Sequence, residues 1–182
     1  METMDVLSPR AADASVRPAT AADLAAIGAV HARAWRAAYA DLLPAEVLTE
    51  LGPESFAAAW HGAVTTPPSR RHRVLVACSG PTVVGFCASD PEGEIVALLV
   101  DPAHQRHGHG SRLLAAIVDL LRDDDVDAVH TWSPADDGPR RAFLASAGFG
   151  PDGAARDLAL PGGGSTQEGG TLREVRLVAG LT

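Results

Sequence analysis

Lysine is absent from this chain of 182 residues, and arginine carries all of its basic charge apart from histidine. A Gly-Lys-Ser/Thr phosphate loop is thereby excluded, because it needs a lysine to reach the phosphates. Regulation by acetylation of the protein's own lysines is excluded as well. Only two cysteines occur, Cys78 and Cys87, too few for a disulfide framework. They fall on two expected strands joined at Ser79-Gly80-Pro81-Thr82, with Cys78 paired near Val83 and Cys87 near Val74. The sulfurs then lie several rungs apart, beyond the ~7 Å Cα separation a bridge tolerates. Both read as small buried hydrophobes in a reducing compartment, which makes a cytoplasmic protein the expectation. No apolar run approaches the ~18–20 residues of a membrane span. Residues 1–15 carry acids and Pro9 where a signal peptide has a basic start and an apolar stretch, and they read as a disordered leader. Net positive charge is also missing: at −8 the chain is poorly suited to a nucleic-acid partner. Its basic cluster, Arg70-Arg71-His72-Arg73, reads as a solvated loop before a strand.

Hydrophobic residues make up 46% of the chain, enough for one folded domain over residues 16–182. The element order is strand, helix, helix, three strands, helix, strand, helix, two strands. Val16-Arg17-Pro18 opens it, and Thr20 with Asp23 forms a capping-box variant ahead of a helix striped by Leu24, Ile27 and Val30. Helical stretches follow over 45–51 and 53–64, then strands near 73–78, 82–89 and 94–100. A helix over 111–122 buries Leu113, Leu114, Ile117, Val118 and Leu121. A strand over 128–132, a helix over 139–147 stopped by Gly148, and strands near 155–160 and 172–178 complete the chain. The segment 161–170 is glycine-rich and reads as a mobile hairpin loop.

The most informative segment is Val100 to Arg112, V-D-P-A-H-Q-R-H-G-H-G-S-R. An apolar strand ends at Asp101-Pro102, and an amphipathic helix begins after Gly108-His109-Gly110. Glycines let the backbone approach a ligand, and the unpaired N–H groups of a helix start suit a phosphate. A dinucleotide fingerprint fits poorly, since it puts its first glycine directly after the strand, whereas seven residues separate Val100 from Gly108 here.

This spacing resembles the Q/R-x-x-G-x-G/A motif of the GCN5-related N-acetyltransferase superfamily. The opening V-R-P-A-T-A-A-D-L-A-A-I is similar to that family's first segment. R-A-F-L-A-S-A-G-F is similar to its late-helix motif, A-x-x-F-Y-x-x-x-G-F. The resemblance covers 16–178. It implies an α/β (α+β) acyl-CoA N-acyltransferase fold: a twisted, mixed, mostly antiparallel sheet with helices on both faces and a V-shaped opening between strands four and five. It implies acetyl-CoA as cosubstrate, no metal, no nucleic acid or membrane, and an amine acceptor on a small molecule or protein. A homodimer is among its expectations. On this chain, Leu98, Leu99 and Val100 would offer backbone groups to the pantetheine and acetyl carbonyl. Arg106, His107, Gly108, His109, Gly110 and Ser111 would wrap the pyrophosphate, and Phe143 would pack nearby. Asp137 stands where the family has an asparagine that touches the pantetheine.

Leu144 replaces the family's usual tyrosine, the acid that protonates the departing thiolate. Solvent, Ser133, Ser146 or Tyr39, the single tyrosine, remain as proton sources. The expected base is Glu94, on the strand where several family members carry a glutamate, with His130 and His31 as alternatives that read equally as structural residues. Trp132 is either core or a wall of the acetyl and acceptor pocket, while Trp35 and Trp60 read as packing. His104, His107 and His109 sit in one expected loop without a cysteine, a poor zinc set. Three readings stay open: an N-acetyltransferase working by direct transfer in a ternary complex, a non-catalytic acyl-CoA-binding module, and a structural partner that binds no CoA.

Overall fold

The computed structural model describes residues 14–40, 48–49, 51–159 and 171–181. The expected leader, most of the 45–51 helix and the 161–170 loop lie outside them. Strand β1 runs Ala14–Pro18, so Ala14 and Ser15 belong to the sheet and not to a leader. A single 3-10 turn, Ala21–Asp23, leads into helix α1, Leu24–Tyr39, and helix α2 spans Pro53–Thr65. Strands β2 (Arg73–Ser79), β3 (Thr82–Ser89) and β4 (Ile95–Val100) follow. Helix α3 is His109–Asp123, β5 Ala128–Pro134, helix α4 Gly138–Ser146, β6 Gly150–Ala159 and β7 Thr171–Gly180.

The strands form two antiparallel sheets, ordered β1-β2-β3-β4 and β5-β7-β6. Cys78 pairs with Val83, but Cys87 pairs with Leu75 and not Val74, because a bulge at Ala77/Cys78 shifts the register by one. Both thiols are free and buried. The sheets meet at one end of β4 and β5, through a parallel bridge between Glu94 and His130. There the His130 N–H donates to the Gly93 carbonyl at 2.9 Å, and the Thr131 hydroxyl to the Ile95 carbonyl at 2.9 Å. Gly93 permits the approach: its φ is +93°, and a Cβ would stand 2.5 Å from the Ala128 carbonyl oxygen. Beyond this junction no further β4–β5 bridge is made among the described residues, and β4 carries a bulge opposite Ala88/Ser89. A bulge bends its strand and ends pairing, which is the local cause of the opening.

Two apolar clusters flank the sheets. Ile27, Val30, Val76 and Phe86 join α1 to one face, and Leu113, Ile117, Leu121, Val129, Leu144 and Leu177 join α3 and α4 to the other. The start of α1 is tied to β1 by Asp23, which accepts from Thr20 at 2.8 Å and takes the Arg17 guanidinium at 2.7 and 2.8 Å. Helix α4 ends in a Schellman motif, with Phe149 N–H on the Leu144 carbonyl and Gly148 N–H on the Ala145 carbonyl. Among the described residues no helix is long and apolar enough to cross a membrane.

Candidate active site

Strand β4 delivers the chain to the phosphate turn, and Asp101 fixes its course. One carboxylate oxygen accepts the Ala103 N–H at 3.0 Å, and the other takes the Arg33 Nε at 2.8 Å and terminal nitrogen at 2.6 Å. Burial alone would raise the Asp101 pKa, yet Arg33 and the Ala103 N–H hold it below the usual carboxylate range. The loop is thereby clamped to α1. Arg106 (φ 66°) and Gly108 (φ 79°) then turn the backbone into α3. The first helical bond runs from Arg112 N–H to the Gly108 carbonyl at 3.1 Å. The amides of His109, Gly110 and Ser111 precede it and have no intrahelical acceptor. Gly108 at the N-cap offers no side chain, so among the described residues nothing caps them. Phe143 closes the turn from α4, its ring 3.6 Å from where a Gly110 Cβ would stand.

The three histidines do not share one loop. His104 ends a 3-10 turn, while His109 begins α3 and is buried, its Nδ1 without a partner. Burial, assisted by Arg112, pushes the His109 pKa down, so the ring is neutral at the phosphate turn.

Within the V, the backbone groups alternate. The Asp101 N–H bonds Val84 across the β3 edge, and the Leu99 carbonyl also lies on that side, 2.9 Å from where a Gly85 Cβ would stand. Leu98 and Val100 therefore face the opening, and Leu99 does not, correcting the expectation that all three would. Both carbonyls meet side chains of the protein itself: Leu98 accepts from Arg140 at 3.1 Å, Val100 from Gln105 at 3.3 Å. Asp137 is the N-cap of α4, accepting the Arg140 backbone N–H at 3.0 Å, so that oxygen serves the helix.

At the closed end, Glu94 and His130 face one another with 3.6 Å between Oε2 and Nε2, both partly exposed. Trp132 points to the face opposite Thr131 and Ser133, which are buried. It is not core: the residue is half-buried, the Arg156 guanidinium lies 4.2 Å from its ring centre and Arg176 5.9 Å. Arg156 also donates to Glu174 at 2.7 Å. Tyr39, at the end of α1, packs against Trp35 with the rings tilted, 4.2 Å between ring centres. Burial pushes its phenol pKa up, and Glu174 adds to this, so it is protonated at neutral pH.

Other candidates are occupied elsewhere. His31 is stacked on Phe56 at 3.9 Å and accepts the Trp60 indole N–H at 3.0 Å. Burial lowers its pKa to about 4, which makes it a neutral packing residue and removes it as a base. Leu144 is fully buried, Ser146 donates to the Phe143 carbonyl at 2.6 Å, and Ser133 is buried against the Pro134 carbonyl. Sequence reasoning missed Arg140, Glu174 and Arg156. For Arg140 a signal existed: it stands where the late-helix motif has alanine. Glu174 and Arg156 lie on strands whose register no local pattern reveals. An apolar groove of about 320 Å³ also runs between α3 and α4 from Ser111 and Phe143. It does not reach Glu94 or Trp132.

With this geometry in place, comparison with known proteins assigns the chain. Residues 32–149 match the acetyltransferase (GNAT) family, and the protein belongs to that family. An uncharacterized N-acetyltransferase of Bacillus subtilis, YuaI, is 25% identical over 126 residues, covering 65% of this chain and 70% of that protein. The fold is shared with the PaiA N-acetyltransferase of Thermoplasma acidophilum in complex with coenzyme A (TM-score 0.70, 15% identity, 92% of this chain and 98% of that one). It is also shared with the ribosomal-protein-S18-alanine N-acetyltransferase of Escherichia coli (TM-score 0.66, 19% identity, 93% and 94%). A third is YncA of Salmonella typhimurium with its cofactor acetyl-CoA (TM-score 0.63, 17% identity, 93% and 95%).

Proposed function

We propose that the protein transfers the acetyl group of acetyl-CoA to an amine, with donor and acceptor bound together in the V between β4 and β5. The observation that carries this reading is the row of uncapped amides at His109, Gly110 and Ser111, opening beside the edge of β4. These N–H groups and the α3 N-terminus suit a pyrophosphate. Leu98 and Val100 offer backbone groups to the pantetheine arm, and Phe143 covers the turn. The donor supplies an activated thioester, and the protein supplies position and proton handling.

Glu94 is the base in this scheme. It takes the ammonium proton of the acceptor, directly or through water, so that the neutral amine attacks the thioester carbon and the C–S bond breaks. The Leu98 N–H, on the open edge of β4, suits the negative charge that develops on the carbonyl oxygen. Tyr39 donates the proton that the thiolate takes up, and the second proton of the attacking nitrogen, lost as the amide forms, returns to the phenolate through water. Its phenol keeps its proton in the folded protein, and its place beside Arg140, Asp137 and Glu174 favours it over Ser133 and Ser146, whose hydroxyls face backbone carbonyls. Trp132 walls the acceptor side. With no nucleophilic cysteine on the cleft, a covalent acetyl-enzyme has no residue to form on: Cys87 is buried and its thiol pKa is pushed up to about 12, by burial foremost.

Melting curves with and without millimolar acetyl-CoA, followed by thiol release across a panel of amines, test the reading. Stabilisation with turnover on at least one amine is expected. Absence of any stabilisation refutes it, because a ligand of the native state must raise apparent stability.

A further inference from the structure

Among the described residues, Arg140 forms no ion pair with a carboxylate. It projects from the first turn of α4 into the V and donates one N–H to the Leu98 carbonyl. Its electrostatic neighbours are Asp137, Tyr39, Cys87 and Glu174, so it stands between the β3–β4 edge and the Trp132 face. Asp137 turns one oxygen to the backbone N–H of Arg140, and Glu174 is paired with Arg156 at 2.7 Å. Among the described residues no carboxylate oxygen comes within the 4.0 Å of an ion pair. The residue is only partly buried, and the bond to Leu98 is the side-chain hydrogen bond it makes among the described residues, which leaves further guanidinium donors for a ligand. Arg156 and Arg176 differ in this respect, each being matched by an acid, Glu174 and Asp152.

A guanidinium has five N–H donors in a planar fork that matches a carboxylate, and a partly buried cation gains most from such a partner. We propose that Arg140 makes the cleft selective for a substrate that carries a carboxylate. This rests on the acyl-transfer reading above. Two sources share the chemistry: the acyl donor, as the thioester of a dicarboxylic acid, or the acceptor, as an amino acid whose own carboxylate is bound while its amine reacts. Arg140 acts by holding the anion and takes no part in bond making.

Equilibrium binding separates the possibilities. One arm compares succinyl-CoA with acetyl-CoA. The other, with CoA present, compares L-amino acids with their α-amides. In one of the two arms the carboxylate form binds about 10- to 100-fold more tightly, as loss of charge-assisted hydrogen bonds implies. That ratio collapses in Arg140→Leu and is partly kept in Arg140→Lys. Ratios near one in both arms of the unaltered protein overturn the assignment without any variant. A preference that survives Arg140→Leu overturns it too. Failure of the unaltered protein to bind acetyl-CoA, succinyl-CoA and CoA alike sinks the acyl-transfer reading itself, and this inference with it.

Discussion

Replacing Gly108 by alanine tests the phosphate turn through two separate quantities. The residue sits at φ +79°, and its added Cβ would lie 3.1 Å from Arg112 Nη1, the far end of a flexible side chain that can give way. The backbone cannot. A left-handed non-glycine residue costs about 1–2 kcal/mol, which is the expected loss of stability without ligand. For a chain of 182 residues this lowers the melting temperature by about 2–8 °C. If the strain is relieved by rotating the turn, the amides of 109–111 no longer converge. Each lost hydrogen bond to a charged phosphate removes about 1.5–3 kcal/mol, so CoA affinity falls at least tenfold. The unaltered protein gains about 2.7 kcal/mol from CoA at 100 times its dissociation constant, and the variant gains correspondingly less at the same concentration. Gly110→Ala is the control, since its Cβ makes ordinary contacts at 3.6 and 3.7 Å with Phe143 and Val100. Differential scanning fluorimetry with a CoA titration reads both quantities. An unchanged melting point and an unchanged CoA shift in Gly108→Ala would refute the account of this turn.

Glu94→Gln should lower kcat/KM by about 10²–10⁴-fold, with little change in melting point because the side chain is partly exposed. Retention of full activity dismisses Glu94 as base. His31 is neutral in the native state with a pKa near 4, against about 6.5 when unfolded, so stability should fall as pH drops from about 6.5 toward 4. The unfolded chain binds that proton first, and the loss, tempered by solvent screening of the partly exposed ring, is seen as a flatter urea-midpoint profile in His31→Gln. Asp101→Asn removes the charge that pairs with Arg33 and leaves one oxygen to serve both Arg33 and the Ala103 N–H, so it should cost about 1.5–3 kcal/mol, together with CoA affinity, since the clamp to α1 is weakened. Equal urea midpoints for variant and parent count against that clamp.

The strands and most helices could be read from the chain because their signals are local. Glycine at 108 and 148, Thr20 with Asp23, and the stripe of Leu113, Leu114, Ile117 and Leu121 each mark an element without reference to the rest. The glycine turn into α3 was legible for the same reason. Register was not: the bulge that moves Cys87 onto Leu75 leaves no mark in composition. Nor was strand order, which inserts β7 between β5 and β6 and so sets Trp132 opposite Arg176. His31 and Trp132 show the ambiguity of single residues. One is neutralised by Phe56 and Trp60 from α2, the other is stacked under an arginine from β6, and neither partner is near in sequence.

The junction at Gly93, Glu94 and His130 gives the molecule the build of a book, two leaves sharing a short spine. Away from that spine, no backbone rung holds the leaves at a set angle among the described residues; that is left to side chains from the two covering helices. A guest lying between the pages touches both and becomes the missing rungs. Occupancy should therefore slow amide exchange along the inner margins of both leaves at once, including positions the guest never contacts.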